Sequence, residues 1–325
     1  MQIPSQFNEK YTDYLANEVL NKAPQNLYDP INYILSIGGK RIRPQLVLWG
    51  CYCFNEAFAK AMPVAHSVEV FHNFTLMHDD IMDDAPLRRG KPTVHTKYNT
   101  NTAILSGDAM LLLSYDYLLK CEKGKYFKKL FPVFNQVAIE VCEGQQMDMN
   151  FETADKVTLK EYMKMIELKT AALLGGAIRL GAIVGGAKQR DSKLLEKFAR
   201  TMGVAFQIQD DILDSFGDPA KFGKKVGGDI VQNKKTYLYL TALKKSKGAV
   251  RKELMNWFQT ESFDEQEKIE SVKNIFSELQ VEKEASALQA DLIEKAYTQL
   301  EKVDADNAKK EALRNWTEKL VVREI

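Results

Sequence analysis

Apolar residues recur at three- and four-residue spacing through 11–21, 44–60, 62–78, 103–120, 127–150, 158–186, 191–214, 234–245 and the C-terminal third. That is the repeat of one helix face, and hardly any segment holds the two-residue alternation of a strand. A chain patterned this way can bury its apolar stripes only by packing helix on helix, so an all-α fold is expected. Five prolines (Pro30, Pro44, Pro86, Pro92, Pro219) are read as breakers between the helical stretches. No fixed-period repeat, linker or low-complexity tract interrupts the pattern, and the expectation is one domain over 1–325.

Composition narrows the function classes. Apolar residues make up 45% of the chain, enough for a large core, and a net charge of +1 excludes a protein built around nucleic-acid phosphates. Cys51, Cys53, Cys121 and Cys142 have neither metal-ligand spacing nor a disulfide framework, so free thiols in a reducing compartment are expected. The opening MQIPSQFNEK has no basic and apolar signal-peptide pattern, and the expected location is cytoplasmic. The most apolar run, Ala171 to Gly186, is broken by Arg179 and reads as an internal helix with no membrane span. Its glycines and alanines suit either close helix approach or room for an apolar ligand.

The chemistry sits in two acidic clusters. His78-Asp79-Asp80-Ile81-Met82-Asp83-Asp84 closes one apolar helix, and Gln209-Asp210-Asp211-Ile212-Leu213-Asp214 closes another. On a helix Asp79 and Asp83 lie one turn apart, Asp80 and Asp84 form a second stripe, and Asp210 and Asp214 repeat the first spacing. Stacked carboxylates repel one another unless a cation sits between them, so the pattern reads as a divalent-metal site. With only four histidines in the chain, the donors are oxygens, which suit Mg²⁺ bridging phosphates.

Basic loops accompany both clusters. Gly38-Gly39-Lys40-Arg41-Ile42-Arg43-Pro44 suits an anion pocket, and equally a helix C-cap followed by solvated charges. Arg88-Arg89-Gly90-Lys91 follows the first cluster; Lys224-Lys225-Val226-Gly227-Gly228-Asp229 and Asn233-Lys234-Lys235-Thr236 follow the second. Between them lie Glu143-Gly144-Gln145-Gln146-Met147-Asp148, whose mid-helix glycine costs about 1 kcal/mol against alanine and so signals close packing or ligand approach, and Lys169-Thr170. Metals and cations of this number would neutralise a departing diphosphate. No serine or cysteine nucleophile with an adjacent base is evident, so the expected step is ionisation to a carbocation in a water-free apolar pocket.

With GGKRIRP, HDDIMDDAPLRRGKPTVH, GQQMD, KT, FQIQDDILD and GKKVGGDIVQNK in this order, the chain resembles a trans-isoprenyl diphosphate synthase of the polyprenyl synthetase family. The match runs from Gly38 to about Thr236. The resemblance implies an all-α isoprenoid-synthase bundle with a central active-site cavity, assembled as a homodimer. It implies Mg²⁺, three ions when substrate is bound, with Mn²⁺ able to substitute. Asp79, Asp83 and Asp210 are then the metal ligands, helped by Asp148, with Asp80, Asp211 and Asp214 as further catalytic carboxylates. Arg88, Lys169, Lys225 and Lys234 would bind the allylic diphosphate, and Thr170 and Gln207 would face the allylic cation. Lys40, Arg43, His72 and Arg89 would bind isopentenyl diphosphate. The released pyrophosphate would take the product's proton, which explains the missing protein base.

In that family, bulky side chains four and five positions before the first aspartate close the product pocket. Here they are Thr75 and Phe74, with no insertion in the first cluster, which resembles short-chain synthases making C15 or C20 products. A class I terpene cyclase would carry an Asn/Asp-x-x-Ser/Thr-x-x-x-Glu motif in place of the second aspartate cluster. A histidine–aspartate phosphohydrolase would need more histidines. A non-catalytic subunit of a heteromeric synthase would be expected to have lost one cluster, and both are intact.

Overall fold

The computed structural model describes residues 3–217, 226–260 and 262–321. Sixteen α-helices run through the described residues: α1 (Ile3–Asn17), α2 (Gln25–Ser36), α3 (Ile42–Phe54), α4 (Met62–Met82), the single turn α5 (Val94–Lys97), α6 (Thr100–Lys120), α7 (Phe127–Thr153), α8 (Leu159–Ile166) and α9 (Ala172–Gly185). Then follow α10 (Gln189–Phe216), the short α11 (Gly228–Val231), α12 (Tyr237–Lys245), α13 (Gly248–Gln259), α14 (Glu265–Glu278), α15 (Val281–Glu301) and α16 (Asn307–Val321). The all-α expectation holds. The sole sheet among the described residues is a hairpin of β1 (Leu87–Arg88) and β2 (Lys91–Pro92), in which Leu87 pairs with Pro92 and Arg88 with Lys91. Its tip, Arg89 and Gly90, has φ of 53° and 74°, the positive pair of a type I′ turn.

Two helix boundaries correct the sequence reading. Pro30 is no breaker: it lies inside α2, a helix the periodicity missed, and is buried like Ile31, Ile34 and Leu35 of the same helix. Burial of that face outweighs the one hydrogen bond a proline forfeits. The first helix spans Ile3–Asn17, earlier in the chain than the 11–21 read from spacing.

The chain divides into two compact units. The first holds residues up to Gln136, Gly176–Glu196 and Val303–Leu313; the second holds Val137–Gly175, Lys197–Lys302 and the chain from Arg314 onward. In the first, α4 packs along α6 and against α3, and α2 lies on α6. Small residues decide how α9 fits there. A Cβ on Gly181 would stand 1.8 Å from the Val47 carbonyl oxygen, and one on Gly50 would stand 2.0 Å from that of Ile178. The glycines of the apolar run therefore serve close helix approach. The continuous stretch Leu159–Gly185 is long and apolar enough to cross a membrane by length and composition, yet 72% of its apolar window is buried inside the protein. All four thiols are free, and burial pushes Cys51 and Cys53 up to about 12.

The second unit is built on Tyr162, Ile208, Ile212, Leu238, Val272 and Phe276. Thr158 opens α8 with a capping box, its hydroxyl taking the Glu161 amide while the Glu161 carboxylate returns to the Thr158 amide. Between α8 and α9 the chain makes one π-helical turn, Glu167–Ala171. Such a turn carries an extra residue within a helix and is frequent at functional sites. Here it carries Lys169 and Thr170.

Candidate active site

In the first unit, α4 delivers the first acidic cluster at its C-terminal end. Asp79 is half-buried and Asp83 exposed. The Asp83 amide still donates to the Asp79 carbonyl at 2.9 Å, so these two keep one-turn spacing although the helix ends at Met82. The expected second stripe does not form. Asp84 has left with a φ of 47° and its side chain stands in solvent, whereas Asp80 points inward and is 1% exposed. Arg88 clasps Asp80, its Nε donating to both carboxylate oxygens at 2.9 and 2.8 Å and Nη2 to Oδ1 at 2.6 Å. Asp80 and Arg88, read separately as catalytic carboxylate and diphosphate ligand, thus form one ion pair. A helix rotates Asp80 about 100° from Asp79, which is enough to send one carboxylate outward and its neighbour into the unit.

Cations gather on the same side of α4. Gly38 and Gly39 adopt φ of 95° and 125°, and a Cβ on Gly39 would stand 2.6 Å from the Arg89 guanidinium, which donates to the Gly38 carbonyl. Arg41, unassigned from sequence, is buried and ion-paired to buried Glu69, with Nη2 also on the Leu35 carbonyl. Arg43 Nη1 donates to His72 Nε2 at 3.0 Å. Burial, then the charges of Arg43, Arg89, Arg88 and Arg41, hold the His72 imidazole well below its ordinary range, so it accepts as a neutral ring. Burial and the Arg89 charge bring Arg43 down to about 10, against the opposing pull of Glu69. Arginines this close repel one another, and an anion relieves that repulsion. Lys40, Arg43, His72 and Arg89, the predicted isopentenyl diphosphate set, all belong to this unit, with Lys40 exposed at the rim of the turn. On the same helix Phe74 is buried, its ring edge-on to His78 at 4.8 Å, and the Thr75 hydroxyl turns back to the His72 carbonyl at 2.8 Å.

The second cluster divides its labour too. Asp210 and Asp214 sit one turn apart on α10, as expected, both half-buried. Asp214 Oδ2 accepts the Asp229 amide at 2.9 Å, and its carbonyl accepts the Gly227 amide at 2.6 Å, tying the start of α11 to α10. Asp211 points into the core at 3% exposure. It accepts from the Tyr162 hydroxyl, from the Tyr237 amide at 3.2 Å, and from Gln207 Nε2 at 3.3 Å, while Gln207 Oε1 takes the Thr170 hydroxyl at 3.2 Å. Burial raises Asp211 to about 7 against the pull of the Tyr162 and Gln207 hydrogen bonds. Asp211, expected among the catalytic carboxylates, instead anchors the chain that orients Gln207 and Thr170. Lys169 in the π-helical turn pairs with Asp148 on α7. Lys234 lies 3.6 Å from Asp229. Lys225 lies outside the described residues.

The chain matches the polyprenyl synthetase family over residues 24–276. The chain belongs to that family. A short chain isoprenyl diphosphate synthase of Methanothermobacter thermautotrophicus is 34% identical over 95% of this chain and 94% of its own length. A geranylgeranyl diphosphate synthase of Methanosarcina mazei is 38% identical over 68% of this chain and 69% of its own. A crystal structure of a geranylgeranyl pyrophosphate synthase superposes with a TM-score of 0.94 at 42% identity, covering all of both chains. The protein therefore has the all-α isoprenoid-synthase fold and is a prenyltransferase.

For this polyprenyl synthetase the donor set fits a hard divalent ion. In the first unit Asp79 and Asp83 offer only carboxylate oxygens, which suit a hard cation. Among the described residues no three acidic, histidine or cysteine side chains converge on one point. Sequence reasoning missed the supporting residues Arg41, Tyr162, Asp229 and Lys235. Lys235 Nζ donates to the Phe151 and Glu152 carbonyls and caps the C-terminal end of α7, where a cation is favoured. Arg41, Asp229 and Lys235 stood inside the basic motifs without a role of their own, and nothing in the spacing marked Tyr162.

Proposed function

We propose that the protein catalyses the Mg²⁺-dependent head-to-tail condensation of isopentenyl diphosphate with an allylic diphosphate. The products are short-chain all-trans prenyl diphosphates of C15 to C20, with pyrophosphate released. The observation that carries this reading is the juxtaposition, on and around α4, of the Asp79–Asp83 pair with a nest of arginines enclosing a neutral histidine. A site with paired carboxylates and separate cations can hold one diphosphate through metal and a second without it.

Asp79 and Asp83 would hold Mg²⁺ for the allylic diphosphate, and Asp210 and Asp148 would be the second unit's metal ligands. The metal supplies charge neutralisation of the departing pyrophosphate. Lys169, Lys234 and Arg88 add cationic contacts to the same group, and the Thr170 and Gln207 oxygens face the developing allylic cation. Lys40, Arg43, Arg89 and His72 orient isopentenyl diphosphate so that its double bond meets that cation. Phe74 closes the product pocket. The relatives' names favour this substrate class, including geranylgeranyl and geranylfarnesyl diphosphate synthases.

The reading includes a cytoplasmic homodimer. Leu105, Leu112 and Leu119 on α6 are 61%, 69% and 46% exposed at seven-residue spacing, a stripe suited to a second copy of the chain. Incubation with Mg²⁺, isopentenyl diphosphate and dimethylallyl, geranyl or farnesyl diphosphate should release pyrophosphate only when both substrates are present. Release from the allylic substrate alone, or none, would sink the reading.

A further inference from the structure

Helix α14 buries Ile269, Val272, Ile275 and Phe276, an ordinary apolar stripe, but the residue before it is a lysine with no exposed surface. Burying an ammonium is costly unless its hydrogens are satisfied. Lys268 Nζ donates to Asn233 Oδ1 at 2.5 Å and lies 3.8 Å from the centre of the Phe263 ring. Burial draws the ammonium below its ordinary range. Asn233 is itself unusual, with φ at +56° in the turn between α11 and α12.

That turn leads to the second acidic cluster. The Asn233 amide bonds the Ile230 carbonyl at 3.2 Å, and the Lys234 amide bonds the Asp229 carbonyl at 2.9 Å. Lys234 Nζ reaches the Asp229 carboxylate, whose own amide rests on Asp214. Ile269, next to Lys268, closes over Gly227, where a Cβ would stand 2.7 Å from its side chain. Adjacent residues of α14 thus brace both ends of the stretch from Gly227 to Asn233. Among the described residues, the bond from Lys268 is the directed contact from α14 to the left-handed residue, and the direction in which Lys234 leaves the turn depends on that residue's φ.

We propose that Lys268 is a positioning residue: its buried ammonium fixes Asn233 in the left-handed turn and so aims Lys234 at the allylic diphosphate. This rests on Lys234 being a ligand of that substrate. Lys268→Met keeps the length and removes the bond. It should raise KM for the allylic diphosphate about tenfold, the scale of one hydrogen bond to a charged group, with KM for isopentenyl diphosphate within about twofold. Asn233→Gly keeps the positive φ and removes the acceptor, and should give a similar rise. The double variant should be no worse than either single one, because both remove the same bond. Lys268→Arg should recover part of the affinity.

Equal changes in both KM values, or only a lower Tm, would reduce Lys268 to a structural residue and overturn the proposal. Additive effects in the double variant would do the same. Lys234→Ala separates the two claims. If it leaves the allylic KM unchanged, the assignment of Lys234 fails and the proposal fails with it. If it raises that KM while Lys268→Met and Asn233→Gly do not, only the positioning role is lost.

Discussion

Placing a methyl group on Gly144 tests how tightly α7 and the π-helical turn are joined. A Cβ there would stand 2.3 Å from the Lys169 amide nitrogen, 2.7 Å from its Cα and 2.8 Å from the Leu168 carbonyl carbon. All three are backbone atoms, so no side chain can swing aside. Ordinary contact begins at 3.4 Å, and α7 and the turn must part by about 1 Å to accept the methyl. Overpacking of this kind costs about 1–3 kcal/mol, against about 1 kcal/mol gained by replacing a helical glycine with alanine. The net loss expected for Gly144→Ala is therefore up to about 2 kcal/mol, or a Tm lower by up to a few degrees. Turnover should suffer more than stability. Asp148 lies one turn beyond Gly144 and pairs with Lys169, so the shift moves the lysine and Thr170 together. A 1 Å misplacement of groups at a reacting centre costs roughly 100-fold in rate. Calorimetry paired with pyrophosphate release under saturating substrates reads both quantities. A variant as stable and as active as the parent would refute the reasoning, because helix propensity would then have outweighed a backbone clash.

Asp79→Ala or Asp210→Ala should cut turnover by orders of magnitude while Tm in Mg²⁺-free buffer holds or rises, since one stacked carboxylate is gone; a large fall in that Tm would contradict the metal-site picture. Arg41→Ala leaves Glu69 buried without its cation and should cost about 3–5 kcal/mol in chemical denaturation. Lys40→Ala, at an exposed position in the same turn, should leave that midpoint unchanged and raise KM for isopentenyl diphosphate. Phe74→Ala should lengthen the product when the reaction is resolved by chromatography, and an unchanged length would remove Phe74 from the pocket floor. His66 is held neutral by burial, down at about 4 from an ordinary 6.5. The unfolded chain therefore binds more protons between those values. Its contribution is complete above about pH 6.5 and is lost as the pH falls toward about 4, a total of about 3 kcal/mol. His66→Gln should flatten that limb of a stability-against-pH curve, and an equally steep limb would reject the assignment.

Much of this was readable along the chain, for a local reason. Helical periodicity and one-turn aspartate spacing are properties of neighbours, and both survived: α10 carries Asp210 and Asp214, and Asp83 still bonds back to Asp79. The errors arose where a local rule met burial. Pro30 reads as a breaker until the buried face of α2 is seen, and Asp80 with Asp84 reads as a stripe until the helix ends at Met82. Nothing in the spacing tells Asp210 from Asp211. Their surroundings part because Asp210 is only half-buried whereas Asp211 is buried against Tyr162 on α8.

The sequence by itself determined the helical class, the family, and the residue types that chemistry on a diphosphate requires, because each depends on short-range order and side-chain identity. The tertiary structure decided which carboxylates are spent internally. Asp80 goes to Arg88, Asp211 to Tyr162 and Asp214 to the Asp229 amide. It also decided that Gly144 and Gly181 are there for backbone contact and that a buried lysine stands behind Asn233. Apart from Asp80 and Arg88, 8 residues apart, these are pairings across 15 residues or more. A charged group removed from water must find a partner wherever the fold brings one, and only the fold says where that is.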